Sequence, residues 1–156
     1  MYEAEKLASA QHFLANMRKA ADPTVFRFEL SVYLSEARSV LQYAHKEATQ
    51  TPDGQRWYDG SIAASDVVRF FRALRNESVH AAPIAPHNDT TVGVITGFSL
   101  GMAGPAPARL PQITMSYAYR FSEDPAGRDA LVVASEYLVA LRAIVADGQA
   151  KGFLTP

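Results

Sequence analysis

Residues 22–48 read DPTVFRFELSVYLSEARSVLQYAHKEA, and this stretch decides the fold. Its apolar side chains recur at intervals of three and four, which predicts a helix with one buried stripe. Asp22 is suited to cap the N-terminus of the helix, and Pro23 is suited to its first position. The turn Thr51-Pro52-Asp53-Gly54 follows, so the helix is expected to end at about Ala48. The stripe comprises Phe26, Leu30, Tyr33, Leu34, Ala37, Leu41 and Ala44.

Another helical pattern precedes this one, from Glu3 to Ala21. Its apolar stripe is formed by Leu7, Ala10, Leu14, Met17 and Ala21. Because only Asp22-Pro23 separates the two patterns, the first and second helices are expected to pack as an antiparallel pair.

A break is predicted at Asp59-Gly60-Ser61, directly after Trp57-Tyr58. A third helix is predicted to start after this break and to end at Ala81-Ala82-Pro83. The spacing of three and four continues on its apolar side, at Ala63, Val67, Phe70, Phe71 and Leu74.

The period then changes from helical to alternating, which is typical of strands. One run alternates at Val92, Val94, Thr96 and Phe98, and the other at Ile113, Met115, Tyr117, Tyr119 and Phe121. The two runs predict a hairpin whose long loop, Leu100 to Pro111, is rich in Gly and Pro. An isolated hairpin is marginal in water, so its aromatic face is expected to lie on the helices or on a partner subunit. We interpret Tyr117 and Tyr119 as core residues rather than as a platform for bases.

A last long helix is predicted after Asp124 and Pro125, which are suited to the N-cap and the first position. Its buried side is expected at Leu131, Ser135, Leu138, Leu141 and Val145, with Gly148 near its end. The order is helix, helix, helix, hairpin, helix. The sequence therefore predicts one domain over residues 1–156, a mostly α up-and-down four-helix bundle with a β-hairpin insertion at about residues 90–121.

Composition limits the chemistry. The 156 residues contain no Cys, which excludes disulfides, a thiolate nucleophile and sulfur-ligated zinc or iron-sulfur sites. Fifteen Lys plus Arg against sixteen Asp plus Glu give a net charge of -1, so any nucleic-acid contact is expected to be local.

The histidines His12, His45, His80 and His87 lack metal-ligand spacing, and we expect neither a metal nor a cofactor. The acidic N-terminus has no apolar segment of the signal-peptide type, so a cytoplasmic protein without membrane spans is expected.

The run FFRALRNESVHA at residues 70–81 is the most informative one for function. An Arg, a polar residue and then a His, with four to six residues between Arg and His, resembles the signature of the HEPN superfamily of helical-bundle proteins. Arg75, Asn76 and His80 match it. The segment EARSVLQ at residues 36–42 and Trp57-Tyr58 are similar to the segments that precede this motif in such chains, so the resemblance covers roughly residues 25 to 83.

The resemblance implies a homodimeric, metal-independent endoribonuclease, in which the ribose 2′-hydroxyl attacks the adjacent phosphate. His80 would be the general acid or base, Arg75 would hold the phosphate, and Asn76 would orient His80. On a helix, Arg75 lies about 140° around the axis from His80, so two copies of the third helix are expected to form one composite groove. Arg69 and Arg72 make a basic stripe suited to binding the substrate backbone.

Several alternatives stay open. Arg38 and His45 also match the loose spacing, although Asn76, the end of a helix and the flanking Phe70, Phe71 and Leu74 favour Arg75 and His80. The same fold could serve as a non-catalytic module that binds RNA, a nucleotide or a protein partner of the antitoxin type. A purely structural oligomer is the third interpretation.

Overall fold

The computed structural model describes the backbone of residues 2–80, 86–95 and 112–156, and their side chains except those of 75–80, 91–95 and 112–116. The helices in these ranges are α1 (Tyr2–Lys19), α2 (Pro23–Ala48), α3 (Gly54–Ala63), α4 (Asp66–His80) and α5 (Ala130–Ala150). The strands β1 (His87–Ile95) and β2 (Gln112–Arg120) pair as an antiparallel hairpin. The prediction of a mostly helical fold with one small hairpin is thus confirmed.

The predicted boundary between α1 and α2 is confirmed. Asp22 caps α2, because its Oδ1 accepts the backbone N–H groups of Thr24 at 2.7 Å and Val25 at 3.2 Å, and Pro23 is the first helical residue. The first helix ends at Lys19, slightly earlier than predicted. Ala21 is therefore exposed and outside the stripe, whereas Ala10, Leu14 and Met17 are buried.

The core lies between α2 and α5, with α1 and α4 packed against them. Tyr33 on α2 is buried and donates its hydroxyl to the backbone oxygen of Ala134 on α5 at 2.6 Å. Leu138, Leu141 and Val145 of α5 are buried as predicted. Leu131 and Ser135 are only half-buried, because the buried stripe also includes Ala130, Val133, Ala134, Tyr137 and Ile144 and is therefore turned away from them.

The predicted break at residues 59–61 is wrong. Helix α3 runs through Asp59-Gly60-Ser61, and the chain interrupts its helices at Ala64 and Ser65 instead. A single Gly inside a helix costs about 1 kcal/mol relative to Ala, which packing can offset. Trp57 supplies that packing: its indole N–H donates to Asp147 of α5 at 2.7 Å, and its ring stacks on Phe153 at 5.3 Å.

The predicted start of α5 at Asp124 is also wrong. The N-cap is Asp129, whose Oδ1 accepts the N–H of Leu131 at 2.8 Å. Asp124 instead accepts the backbone N–H groups of Ala126 and Arg128, and the chain turns through Gly127 at φ 58°. This left-handed residue keeps the segment out of a helix, so α5 begins five residues after Pro125.

The Asp124 loop gives a pH-dependent prediction. Hydrogen bonding from the Arg128 guanidinium, with Nε at 3.0 Å from Oδ2, lowers the pKa of the Asp124 carboxyl below its usual range. As the pH falls, the Asp124 carboxylate therefore takes up its proton at a higher pH in the unfolded chain than in the folded chain. The stabilisation by the ionised carboxylate is lost progressively below about pH 5. In urea titrations across acidic pH, the free energy of unfolding of Asp124→Asn is expected to depend less on pH than that of the wild type. Parallel pH curves would contradict this.

The hairpin lies on the helices, as predicted. Its register pairs His87 with Arg120, so β1 starts three residues before the predicted insertion. Tyr119 is buried against Phe26 of α2 with ring centroids 3.6 Å apart, which confirms that it is a core residue. Positions 96 and 98 and the predicted loop from Leu100 to Pro111 lie outside the described residues.

None of the described helices is long and apolar enough to cross a membrane.

Candidate functional site

Helix α4 carries the predicted site residues, and aromatic packing fixes it on the core. Phe71 is 3% exposed and stacks on Tyr137 of α5 with ring centroids 4.4 Å apart. The same ring meets Phe121 edge-on at 5.6 Å. Val68 and Leu74 are buried on either side of it. The helix is therefore anchored on the core near its middle, four residues before Arg75, the first residue of the motif.

The backbone of α4 continues helically through Arg75 and Asn76 and ends at His80. The side chains of these three predicted catalytic residues lie outside the described side chains. At 100° per residue, positions 72, 76 and 80 follow each other at one-turn spacing along one face, and position 75 is turned about 60° from position 72. Arg72 therefore lies on the same helix face as Asn76 and His80, one turn before Asn76. Of these three residues, only Arg72 has a described side chain.

The two arginines of the predicted basic stripe differ in their surroundings. Both are exposed, but Arg69 forms an ion pair with Asp66, three residues before it on α4. No carboxylate among the described side chains forms an ion pair with Arg72. A phosphate would have to compete with Asp66 for Arg69, whereas Arg72 presents its guanidinium to solvent.

Arg72 also acts on the hydroxyl of Tyr58 in α3. Burial raises the pKa of the Tyr58 hydroxyl, and the nearby positive charge of Arg72 acts in the opposite direction. The Tyr58 ring lies 4.8 Å from the imidazole of His45 on α2. Tyr58 therefore packs on the end of α2, and the charge of Arg72 on α4 lies near its hydroxyl.

His45, the histidine of the rival match, is held by a chain of hydrogen bonds to α3. Gln55 donates its side-chain amide to Asp59 at 2.8 Å, so its carbonyl oxygen faces His45 Nε2 at 3.0 Å. That oxygen can only accept a hydrogen bond, so His45 Nε2 is the donor in this contact. Arg38 is exposed two turns earlier on α2.

The remaining described histidines lie apart from this corner. His12 is within 3.2 Å of Asn16 on α1, and His87 lies 3.3 Å from Asp89 on β1. No group of three or more metal-ligating side chains occurs among the described residues.

Sequence patterns missed the contribution of α3 to this corner. Gln55 and Tyr58 lie between the predicted turn at residues 51–54 and the predicted break at residues 59–61, and Asp59 lies in that break. The signal that identifies the helix is the spacing of four between buried Gly54, Tyr58 and Ile62, which is a helical repeat across the Gly60 position.

Comparisons with models of known protein families, with curated proteins and with solved structures find no match to this chain. What α4 does must therefore be inferred from its own residues.

Proposed function

We propose that this chain is a HEPN-like, metal-independent endoribonuclease. Its four long helices, α1, α2, α4 and α5, form an up-and-down bundle, and the short α3 connects two of them. The observation that carries the proposal is the run Arg75-Asn76-x3-His80 in the last turns of α4, behind a mid-helix anchor at Phe71 and next to the exposed Arg72.

The reaction requires one proton acceptor and one proton donor at a phosphate. The ribose 2′-oxygen attacks phosphorus, its proton passes to a histidine, and the bond from phosphorus to the 5′-oxygen breaks. A second histidine protonates that 5′-oxygen, which leaves a cyclic phosphate and a 5′-hydroxyl. With one His80 from each copy in a groove between two α4 helices, both roles are filled and no metal is required.

The other residues of the motif serve the same step. Arg75 neutralises the phosphate oxygens as negative charge builds up in the transition state, and a guanidinium presents a planar pair of N–H donors for this purpose. Asn76 orients His80, one turn later on the helix. The C-terminal end of α4 favours the protonated form of a histidine placed there, because the helix dipole is negative at that end. This suits His80 to the role of proton donor.

The different surroundings of Arg69 and Arg72 predict different effects on RNA binding. Arg72→Ala is expected to weaken RNA binding by about tenfold, because the variant loses one contact between an arginine and a phosphate. The salt dependence of RNA binding is expected to fall as well. Arg69→Ala is expected to weaken binding less, because Asp66 already neutralises this side chain. Fluorescence anisotropy with a labelled single-stranded RNA at two salt concentrations measures both. A larger loss for Arg69→Ala than for Arg72→Ala would contradict this assignment.

A non-catalytic module is the second candidate, and the exposed Arg72 supports it equally well. A guanidinium without an ion-pair partner among the described residues can hold an RNA, a nucleotide phosphate or an acidic protein partner of the antitoxin type without any turnover. This candidate predicts that Arg72→Ala abolishes binding and that no variant changes the length of bound RNA. A purely structural oligomer predicts neither binding nor cleavage.

The three candidates separate in one experiment. Purified wild type, His80→Ala and Arg75→Ala are incubated with labelled mixed RNA in EDTA, which removes the metal that contaminating nucleases need. Cleavage by the wild type alone supports the ribonuclease. Equal cleavage by all three proteins identifies a contaminant and overturns it, and retention of uncleaved RNA favours the binding module.

A further inference from the structure

The solvent side of α5 is unusually apolar for an exposed helix face. Val132 is 50% exposed and Val139 is 65% exposed, and Ala143 and Ala146 are exposed beside them. Val132, Val139 and Ala146 repeat every seven residues, so they form one straight stripe opposite the buried stripe of α5. A helix that is apolar on both sides is typical of one covered on both sides.

Val132 and Val139 of this stripe line a shallow groove of about 560 Å³. Residues from α5 and one arginine from α1 line it: Arg18, Leu131, Val132, Ser135, Glu136, Val139 and Ala140. Neither α3 nor α4 contributes a lining residue. The groove is therefore separate from the corner formed by Tyr58 and Arg72.

Opposite charges flank the groove at the same level of α5. On one flank, the Arg18 guanidinium donates to Ser135 Oγ at 2.9 Å. On the other flank lies Glu136, whose carboxylate is 2.8 Å from the Arg128 guanidinium and remains 47% exposed. Ser135 and Glu136 are neighbours in sequence and point about 100° apart, with the valine stripe between them.

We propose that a second copy of this chain covers the groove, with its α5 running in the same direction about a two-fold axis parallel to the helix. Each residue of the stripe then meets its own copy, and opposite flanks face each other. Glu136 of one copy therefore meets the second copy's Arg18 at the same level, and symmetry makes this ion pair twice. An antiparallel arrangement would place like flanks together, so that Arg18 faces Arg18 and the Glu136–Arg128 pair faces its own copy.

This interface goes beyond the proposed ribonuclease and does not rest on it. The exposed valines and the flanking charges belong to α5 and α1, whereas the proposed chemistry belongs to α4. If α4 also pairs in a composite groove, the chain has two self-complementary faces and forms a larger closed assembly. Loss of the α5 interface halves the mass of a two-chain assembly, and also that of a four-chain assembly built from both faces.

The first test places a charge on the stripe. Val139→Glu is expected to halve the molar mass measured by light scattering after size exclusion, because two carboxylates would be buried at the centre of the interface. Val32→Glu is the matched control: Val32 is an exposed valine, 38% exposed, in the middle of α2, and its variant is expected to keep the wild-type mass. A wild-type mass of one 17.0 kDa chain, or an unchanged mass for Val139→Glu, overturns the proposal.

A charge exchange tests the direction of pairing. Arg18→Glu and Glu136→Arg are each expected to lower the fraction of associated protein, since each places like charges across the interface. The double variant Arg18→Glu with Glu136→Arg restores opposite charges between copies and is expected to recover association. Circular dichroism of each variant checks that the helices are retained. Association that falls further in the double variant overturns the same-direction pairing.

Discussion

His80→Ala is expected to lower RNA cleavage by at least about 10²–10⁴-fold, the usual contribution of one general acid or base, because both copies lose His80 and both roles are removed. The imidazole of His80 can transfer a proton, whereas the methyl group of Ala cannot. Binding of RNA through Arg72 is expected to be retained. The measurement is the initial rate of cleavage of a labelled single-stranded RNA in EDTA, at RNA concentrations that saturate both proteins.

His45→Ala is the matched control for that variant. His45 is the other histidine that satisfies the loose motif, but its ring is bound to Gln55 and packed on Tyr58 at the end of α2. We expect this variant to cleave at close to the wild-type rate. A full loss of cleavage in His45→Ala with normal cleavage in His80→Ala would transfer the chemistry to Arg38 and His45.

Phe71→Ala is expected to lower the free energy of unfolding by about 3–5 kcal/mol, the usual cost of removing a buried aromatic ring. The cavity would open between α4, α5 and the end of β2, where the Phe71 ring contacts Tyr137 and Phe121. This is a large fraction of the total stability of a typical domain. Urea denaturation followed by circular dichroism gives the value.

Phe28→Ala provides the control for that measurement. Phe28 is 70% exposed on α2, and surface substitutions of this kind change stability by only about 0.5 kcal/mol. Because Phe71 anchors the helix that carries the motif, its variant is also expected to lose cleavage before it unfolds globally. Equal stability losses in the two variants would mean that α4 is not held on α5 by this ring.

Elements whose signals are local were predictable from the sequence. Asp22-Pro23 fixes both the end of one helix and the start of the next, since the cap and the proline act within three residues. The start of α5 was not predictable in this way, because Asp124-Pro125 carries the same local signal. The competing hydrogen bonds that Asp124 accepts from Arg128, and the left-handed Gly127, move the start to Ala130.

In the candidate site, too, local features were predictable from the sequence and contacts between distant residues were not. The motif on α4 could be found from residue types and spacing, and so could the exposure of Arg69 and Arg72. The neutralisation of Arg69 by Asp66 follows from a pair three residues apart, which a sequence allows but does not require. The approach of Tyr58 to both His45 and Arg72 depends on how α3 packs between α2 and α4. Such contacts join residues that are distant in sequence, and their spacing contains no signal for them.

The most direct test of the proposed function is the chemistry of the ends left by cleavage. Wild-type protein in EDTA is expected to produce RNA fragments that end in a 2′,3′-cyclic phosphate and begin with a 5′-hydroxyl, because the attacking oxygen belongs to the substrate itself. Mass spectrometry of the fragments distinguishes these ends from the 5′-phosphate and 3′-hydroxyl left by attack of water. Fragments with 5′-phosphate ends, or RNA that remains intact while bound, would contradict the account.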